Sequence, residues 1–315
     1  MMRILVSDRT DQVLEKRLRE AGYAVSVEPD HDYNSLIQAA QGYDALVVRS
    51  KVIIDRAFID AVPSLRCIGR VGAGMETIDV DYAGSKGIRC LNSPEGNRDA
   101  VGEHTVGLLL SLLNNIARAD AEVRNGLWRR EENRGWELGN LTVGIIGFGN
   151  MGSAFAQRLQ GFGCPIIAYD KYKPVGYAPH YVEEVTLREL MQRAQVVSLH
   201  VPLTDETRHM VDKQFIDSCR HDFFLINTSR GAVVDTEALV QGMEDLHVRG
   251  AALDVNEYED MTRDGLGETP SALDYLRHSP RTVLTPHVAG WTFESKYKLA
   301  AVLADKIIEA LKGIA

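Results

Sequence analysis

Three side chains in the last third of the 315-residue chain have the types needed to move a proton on a substrate held by its acid group: Arg230, Glu259 and His287. A histidine can give or take a proton near neutral pH, a neighbouring carboxylate favours its charged form, and an arginine can grip a carboxylate in two-pronged fashion. Arg230 precedes a glycine and His287 follows a proline that stiffens its approach. Each alone is as well explained by an ordinary structural role. Glu257, two residues before Glu259 in the same acidic run, is a rival for the carboxylate.

The stretch that gives this trio a purpose is Leu141 to Asp170. An apolar run (Leu141, Val143, Ile145, Ile146) leads into Gly147-Phe148-Gly149-Asn150-Met151-Gly152. A helical pattern through Ala154, Phe155, Leu159 and Phe162 follows, then a second apolar run that ends at Asp170. Gly147 permits a tight turn, and Gly149 lets a pyrophosphate approach backbone N–H groups at the helix start. Gly152 lets the helix lie close to the strand, and Asp170 can accept both hydrogens of an adenosine ribose diol. The order strand, glycine turn, helix, strand, acid predicts a dinucleotide site. A hydride transfer between an alcohol and a nicotinamide then needs an acid/base, a partner for it and a cation for the substrate, which His287, Glu259 and Arg230 supply.

Apolar runs at Ile4–Ser7, Ala24–Val27, Ala45–Val48, Arg66–Val71 and Ile88–Leu91 alternate with helical patterns at Gln12–Ala21, Tyr33–Ala40 and Arg56–Ala61. Such alternation predicts a small doubly wound parallel sheet. A long helix is expected from Arg98 to about Asn125, then an irregular segment, Gly126 to Gly139. Strands resume at Val196–Leu199, Phe223–Ile226, Gly250–Leu253 and Thr282–Leu284. They are followed by His200-Val201-Pro202, Asn227-Thr228-Ser229-Arg230, Asp254 to Glu259 and Thr285-Pro286-His287. Ligands bind beyond the carboxyl ends of such strands, so these polar segments describe one crevice. His200, Pro202, Thr228, Ser229 and Asp254 are therefore candidate cofactor contacts. A short helix is expected at Pro270–Arg277 and a last one at Glu294–Leu311.

A net charge of −9 argues against nucleic acid or an anionic membrane as partner. The longest aliphatic block, Val106 to Leu113, is too short to span a bilayer. Cys67, Cys90, Cys164 and Cys219 show neither a C-x-x-C pair nor zinc spacing, and no metal site is expected. They fit reduced thiols in a cytoplasmic protein.

Several motifs together resemble one family, the NAD-dependent D-2-hydroxyacid dehydrogenases, and within it the 3-phosphoglycerate dehydrogenase branch. They are Arg49-Ser50, Gly72-Ala73-Gly74 with Ile78-Asp79, Asn97 with Glu103-His104, the glycine fingerprint, Asn227 to Gly231, Leu253-Asp254-Val255 and Thr285-Pro286-His287. The resemblance implies two doubly wound α/β domains, with an NAD-binding Rossmann domain (98–287) inserted in a flavodoxin-like substrate domain (1–97 and 288–315). It implies that Arg230 binds the substrate carboxylate and keto oxygen, that His287 is the acid/base and that Glu259 pairs with it. Asp254 would face the nicotinamide carboxamide, and Gly72 to Gly74 would offer N–H groups to the substrate. Arg49 and Ser50, with Asn97, fall in the substrate region. The substrate expected is a small 2-hydroxy or 2-keto acid, with 3-phosphoglycerate first and glyoxylate or hydroxypyruvate as the alternative. A corepressor-like NAD(H)-sensing scaffold is the reading from another class, and a homodimer is the expected assembly. Three departures stand out: Glu259 is followed by Asp260 where proline is usual, the 27 residues between Glu259 and His287 exceed what the family leads one to expect, so that 260–281 reads as an insertion, and Trp291 stands where small residues are usual.

Overall fold

The computed structural model describes residues 1–259 and 269–312, and these form two compact units, 1–98 with 291–312 and 99–290. In the first, strands β1 (Arg3–Val6), β2 (Ala24–Val27), β3 (Ala45–Val48), β4 (Cys67–Arg70) and β5 (Arg89–Asn92) pair in parallel in the order β2-β1-β3-β4-β5. This is the flavodoxin-like order. Successive side chains point to opposite faces. Ile4, Val6, Ala45, Val47 and Cys67 pack under the helices Gln12–Glu20 and Phe293–Lys312. Leu5, Leu46, Val48 and Ile68 pack under Tyr33–Ala39, Arg56–Ala61 and Val80–Ser85. Both faces are covered, which is why these strands read as unbroken apolar runs.

The second unit carries β6 (Val143–Ile146), β7 (Ile166–Tyr169), β8 (Glu183–Glu184), β9 (Val196–Leu199), β10 (Phe223–Asn227), β11 (Val248–Leu253) and β12 (Thr282–Leu284). All neighbours are parallel, in the order β12-β11-β10-β9-β6-β7-β8. The reversal of strand order falls between β6 and β9, which start their connections in opposite directions and open a crevice beyond their carboxyl ends. Two apolar clusters fill the faces, one against Leu108, Leu109, Leu112, Phe155 and Leu159, the other against Leu190, Phe215, Leu239 and Leu276.

Three expectations need correction. The long helix from Arg98 to Asn125 is two helices, Arg98–Leu113 and Ile116–Arg124. Asn115 between them is left-handed, with φ at 53°, and the Leu113 carbonyl accepts from Trp136 N (3.0 Å). Asparagine tolerates that backbone better than most residues. The unit boundaries fall at 98 and 290, not at 97 and 287, because the turn after His287 is tied to Asp254 of the second unit. The short helix runs Ser271–His278, and the part of the 260–281 insertion from 260 to 268 lies outside the described residues.

Candidate active site

The glycine turn is built by close approach. Gly147 has φ at +88°, and a Cβ there would stand 2.6 Å from the His200 carbonyl oxygen. A Cβ on Gly152 would collide with the Gly147 carbonyl oxygen, so helix Asn150–Leu159 can lie this close to β6 only without one. A Cβ on Gly149, in contrast, would meet nothing within 4 Å, and no side chain caps the helix that begins at Asn150 and Met151. The free N–H groups and open space at this end fit a pyrophosphate. Asp170 accepts from Phe148 N (2.9 Å) through Oδ2 and from Tyr172 N (3.0 Å) through Oδ1, which fixes its carboxylate at the mouth of the turn.

Beyond β9, the His200 ring packs on Phe155 and meets Ser198 Oγ through Nε2 (2.9 Å). Burial pushes its pKa down to about 3, so the ring is neutral. Its side chain faces the protein, and its carbonyl is what adjoins the glycine turn. Pro202 lends its carbonyl to Thr207 Oγ1 (2.6 Å), pinning the loop that follows.

The turn after β10 is folded around a buried asparagine. Asn227 Oδ1 accepts from Ser229 N (3.0 Å) and Ser229 Oγ (2.7 Å), while its Nδ2 donates to the Arg230 carbonyl (2.9 Å). Thr228 Oγ1 lies 3.2 Å from Thr105 Oγ1, and Arg230 Nη1 donates to the Ser229 carbonyl (2.7 Å). Gly231 comes so close to the Asn256 backbone that a Cβ could not fit between them. Absence of that Cβ brings the Arg230 turn against the segment that carries Glu259.

His287 Nδ1 lies 2.9 Å from Glu259 Oε2, and Glu259 Oε1 accepts from Asn256 N (3.1 Å). Glu257 is engaged elsewhere, with His209 Nε2 at 2.5 Å and Thr236 Oγ1 at 2.8 Å. His287 itself is left-handed, with φ at 55°, a costly backbone for a residue with a side chain. The reason it holds is Asp254, 1% exposed, whose Oδ1 accepts from Thr285 Oγ1 (2.6 Å) and Val288 N (2.9 Å) and whose Oδ2 accepts from Ala289 N (2.8 Å). His287 N donates to the Asp254 carbonyl (2.7 Å). His104 Nε2 completes the group, 3.1 Å from Thr285 Oγ1 and 3.5 Å from Asp254 Oδ1. Burial alone would push the Asp254 carboxyl up. The hydrogen bonds from His104, Thr285, Ala289 and Val288 outweigh it and hold the pKa below the ordinary carboxylate range. The family resemblance implies that Asp254 faces the nicotinamide carboxamide. In the structure its oxygens hold the turn that presents His287.

In the first unit, Arg49 follows β3 with its N donating to Asp8 Oδ2 (2.8 Å) and its guanidinium 4.7 Å from the Trp291 ring, a cation–π stack. Ser50 is the exposed residue beside it. The loop Gly72-Ala73-Gly74 follows β4, with the Gly72 carbonyl bonded by Ser93 N (2.9 Å) and the Ala73 carbonyl by Asn92 Nδ2 (2.6 Å). Arg70, which the sequence did not single out, places Nη1 2.5 Å from where a Gly72 Cβ would be. A guanidinium therefore lies against the loop expected to hold an anion. Asn97 Oδ1 is buried without a hydrogen-bond partner.

Residues 106–289 match the family model described as D-isomer specific 2-hydroxyacid dehydrogenase, NAD binding domain. The chain is 34% identical over 99% of its length to D-3-phosphoglycerate dehydrogenase of Methanocaldococcus jannaschii, of which it covers 58%. It is 36% identical over 98% of its length to hydroxypyruvate reductase of Thermotoga maritima, of which it covers 98%. Among solved structures, a D-lactate dehydrogenase from Aquifex aeolicus, complexed with NAD and lactic acid, superposes with a TM-score of 0.81. That pair is 26% identical and covers 99% of this chain and 95% of the other. The chain thus spans little more than half the length of several phosphoglycerate dehydrogenases it matches. With the glycine turn and its acid in place and the matched model being that of an NAD-binding domain, NAD is the cofactor of the second unit, and the chain belongs to the D-isomer specific 2-hydroxyacid dehydrogenase family.

Proposed function

We propose that the protein interconverts a D-2-hydroxy acid and its 2-keto acid. The observation that carries this reading is the contact of His287 Nδ1 with Glu259 Oε2 at 2.9 Å, in the unit that bears the NAD turn. With Nδ1 committed to the carboxylate, proton exchange with the substrate falls to Nε2. In oxidation His287 takes the hydroxyl proton there, and in reduction it returns a proton to the oxygen that was the carbonyl. Glu259 steadies the imidazolium form in either direction. Arg230 holds the substrate carboxylate and the reacting oxygen through its planar fork. Bound NAD would supply the acceptor for the hydride that leaves C2, and its reduced form the donor in the reverse direction.

For the substrate we favour 3-phosphoglycerate and its keto acid, with hydroxypyruvate or glyoxylate as the rival. Arg49 follows β3 and Arg70 ends β4, at the carboxyl ends of two neighbouring strands of the first unit's sheet, which supports a substrate with a second anion. The relatives' names include both activities. Replacing Arg49 with alanine should raise KM for phosphohydroxypyruvate at least tenfold more than for glyoxylate, because only the former presents the distal phosphate. Equal effects, or no turnover of the phosphorylated acid, favour the reductase.

A homodimer is the proposed assembly, in the cytoplasm. In support, Trp128, at 78% exposed, shares one segment of the chain with exposed Ile116, Val123, Leu127 and Trp136, apolar side chains that a partner copy could cover.

A further inference from the structure

The adenosine end of the cofactor site contains two lysines that ought to welcome a phosphate. Lys171 and Lys173 follow Asp170, the acid placed for the ribose diol. Cations at that point would normally attract the 2′-phosphate of NADP and weaken any preference for NAD. Both lysines are already engaged by protein groups. Lys173 Nζ is turned to the glycine turn's backbone, donating to the Phe148 carbonyl at 2.6 Å and lying within 6 Å of the Phe148 and Tyr177 ring centres. Lys171 Nζ is paired with Glu206, whose other carboxylate oxygen accepts from the Tyr172 hydroxyl.

Glu206 does not reach this place by chance of a loose loop. Thr204 N donates to Thr207 Oγ1 (2.8 Å), Thr207 Oγ1 donates to the Pro202 carbonyl (2.6 Å) and Arg208 N donates to the Thr204 carbonyl (2.9 Å). The turn after β9 is thereby pinned with Glu206 at its crest, next to Asp205. The consequence is that Glu206 offsets the charge of Lys171, the cation next in sequence to Asp170.

We propose that Glu206 is a specificity-determining residue for the cofactor, excluding NADP by holding Lys171 in an ion pair, away from a 2′-phosphate, so that the Asp170 charge stands uncompensated by it. A phosphate on the ribose 2′ oxygen would meet the Asp170 carboxylate with the Lys171 ammonium already spent on Glu206. NAD, whose ribose is neutral, is indifferent to Glu206. This inference rests on the dinucleotide reading of the glycine turn.

Direct binding to the whole protein tests it without turnover, using adenosine 2′,5′-bisphosphate and 5′-AMP as probes in isothermal titration. Wild type should bind 5′-AMP at least tenfold more tightly than the bisphosphate. Glu206→Gln should tighten the bisphosphate about five- to tenfold by releasing Lys171, with 5′-AMP changed less than twofold. Adding Lys171→Met to Glu206→Gln should abolish most of that gain. If 5′-AMP binds as expected but the bisphosphate is unchanged by Glu206→Gln, or the gain survives loss of Lys171, the role of Glu206 is refuted. If the wild type binds neither probe, the nucleotide reading of the turn fails and the proposal fails with it.

Discussion

Asp254→Asn is the perturbation whose effect can be worked out most fully. The wild-type carboxylate accepts from two backbone N–H groups and one hydroxyl, all within 2.9 Å, in a site 1% exposed. An amide has only one acceptor oxygen. Whichever way it turns, either Val288 N or Ala289 N faces an NH2 group and loses its partner, which costs about 1–3 kcal/mol, and the remaining bonds lose their charge assistance, about 1 kcal/mol more. The left-handed backbone of His287 itself costs about 1–2 kcal/mol, so the turn has a reason to relax once its clamp weakens. We expect a stability loss of about 3 kcal/mol by urea unfolding. We also expect a fall in kcat on the order of 10²-fold, because His287 leaves its place beside Glu259, with KM for the keto acid changed far less. The pH dependence has a definite sign. Since the folded Asp254 carboxyl titrates below its ordinary value of about 3.9, its contribution is complete above that value and is lost as pH falls through the lower folded one. The stability gap between wild type and variant should therefore be constant at neutral pH and shrink only below about pH 4. A variant within 1 kcal/mol of wild type whose kcat is within threefold would refute the assignment of Asp254 as the clamp.

Two further outcomes are expected. Gly152→Ala should weaken 5′-AMP binding by at least tenfold, since the new Cβ meets the Gly147 carbonyl and forces the helix away from the turn. Unchanged binding would mean that the helix end is not the phosphate site. Arg230→Lys should raise KM for the keto acid and lower kcat together, because an ammonium cannot reproduce the planar fork, and a change in KM alone would leave Arg230 with binding only.

Much of this arrangement was legible in the sequence because its signals are local. The strands are short apolar runs buried on both faces, and the glycine turn, the acid at Asp170 and the segments beyond the strand ends all announce themselves within a few residues. What stayed hidden depends on residues far apart. His104 meets Asp254 and Thr285 across well over a hundred residues, and Glu206 meets Lys171 between two different strand ends. Arg70 ends a strand whose pattern gives no hint that its guanidinium lies against Gly72. The break at Asn115 was missed because the helical pattern resumes at Ile116 and hides the stop that Asn114-Asn115 offers, and the bond from Trp136 N that ends the first helix comes from a later loop. β8 is only two glutamates, too short for any periodicity.

The most direct test of the proposed chemistry is NADH formation from the separate D and L enantiomers of a 2-hydroxy acid that the protein accepts, measured for wild type and for His287→Ala. The D enantiomer alone should be oxidised by the wild type, and His287→Ala should lower kcat by about 10²–10⁴. Turnover of the L enantiomer at a comparable rate, or an alanine variant as active as wild type, would contradict the account.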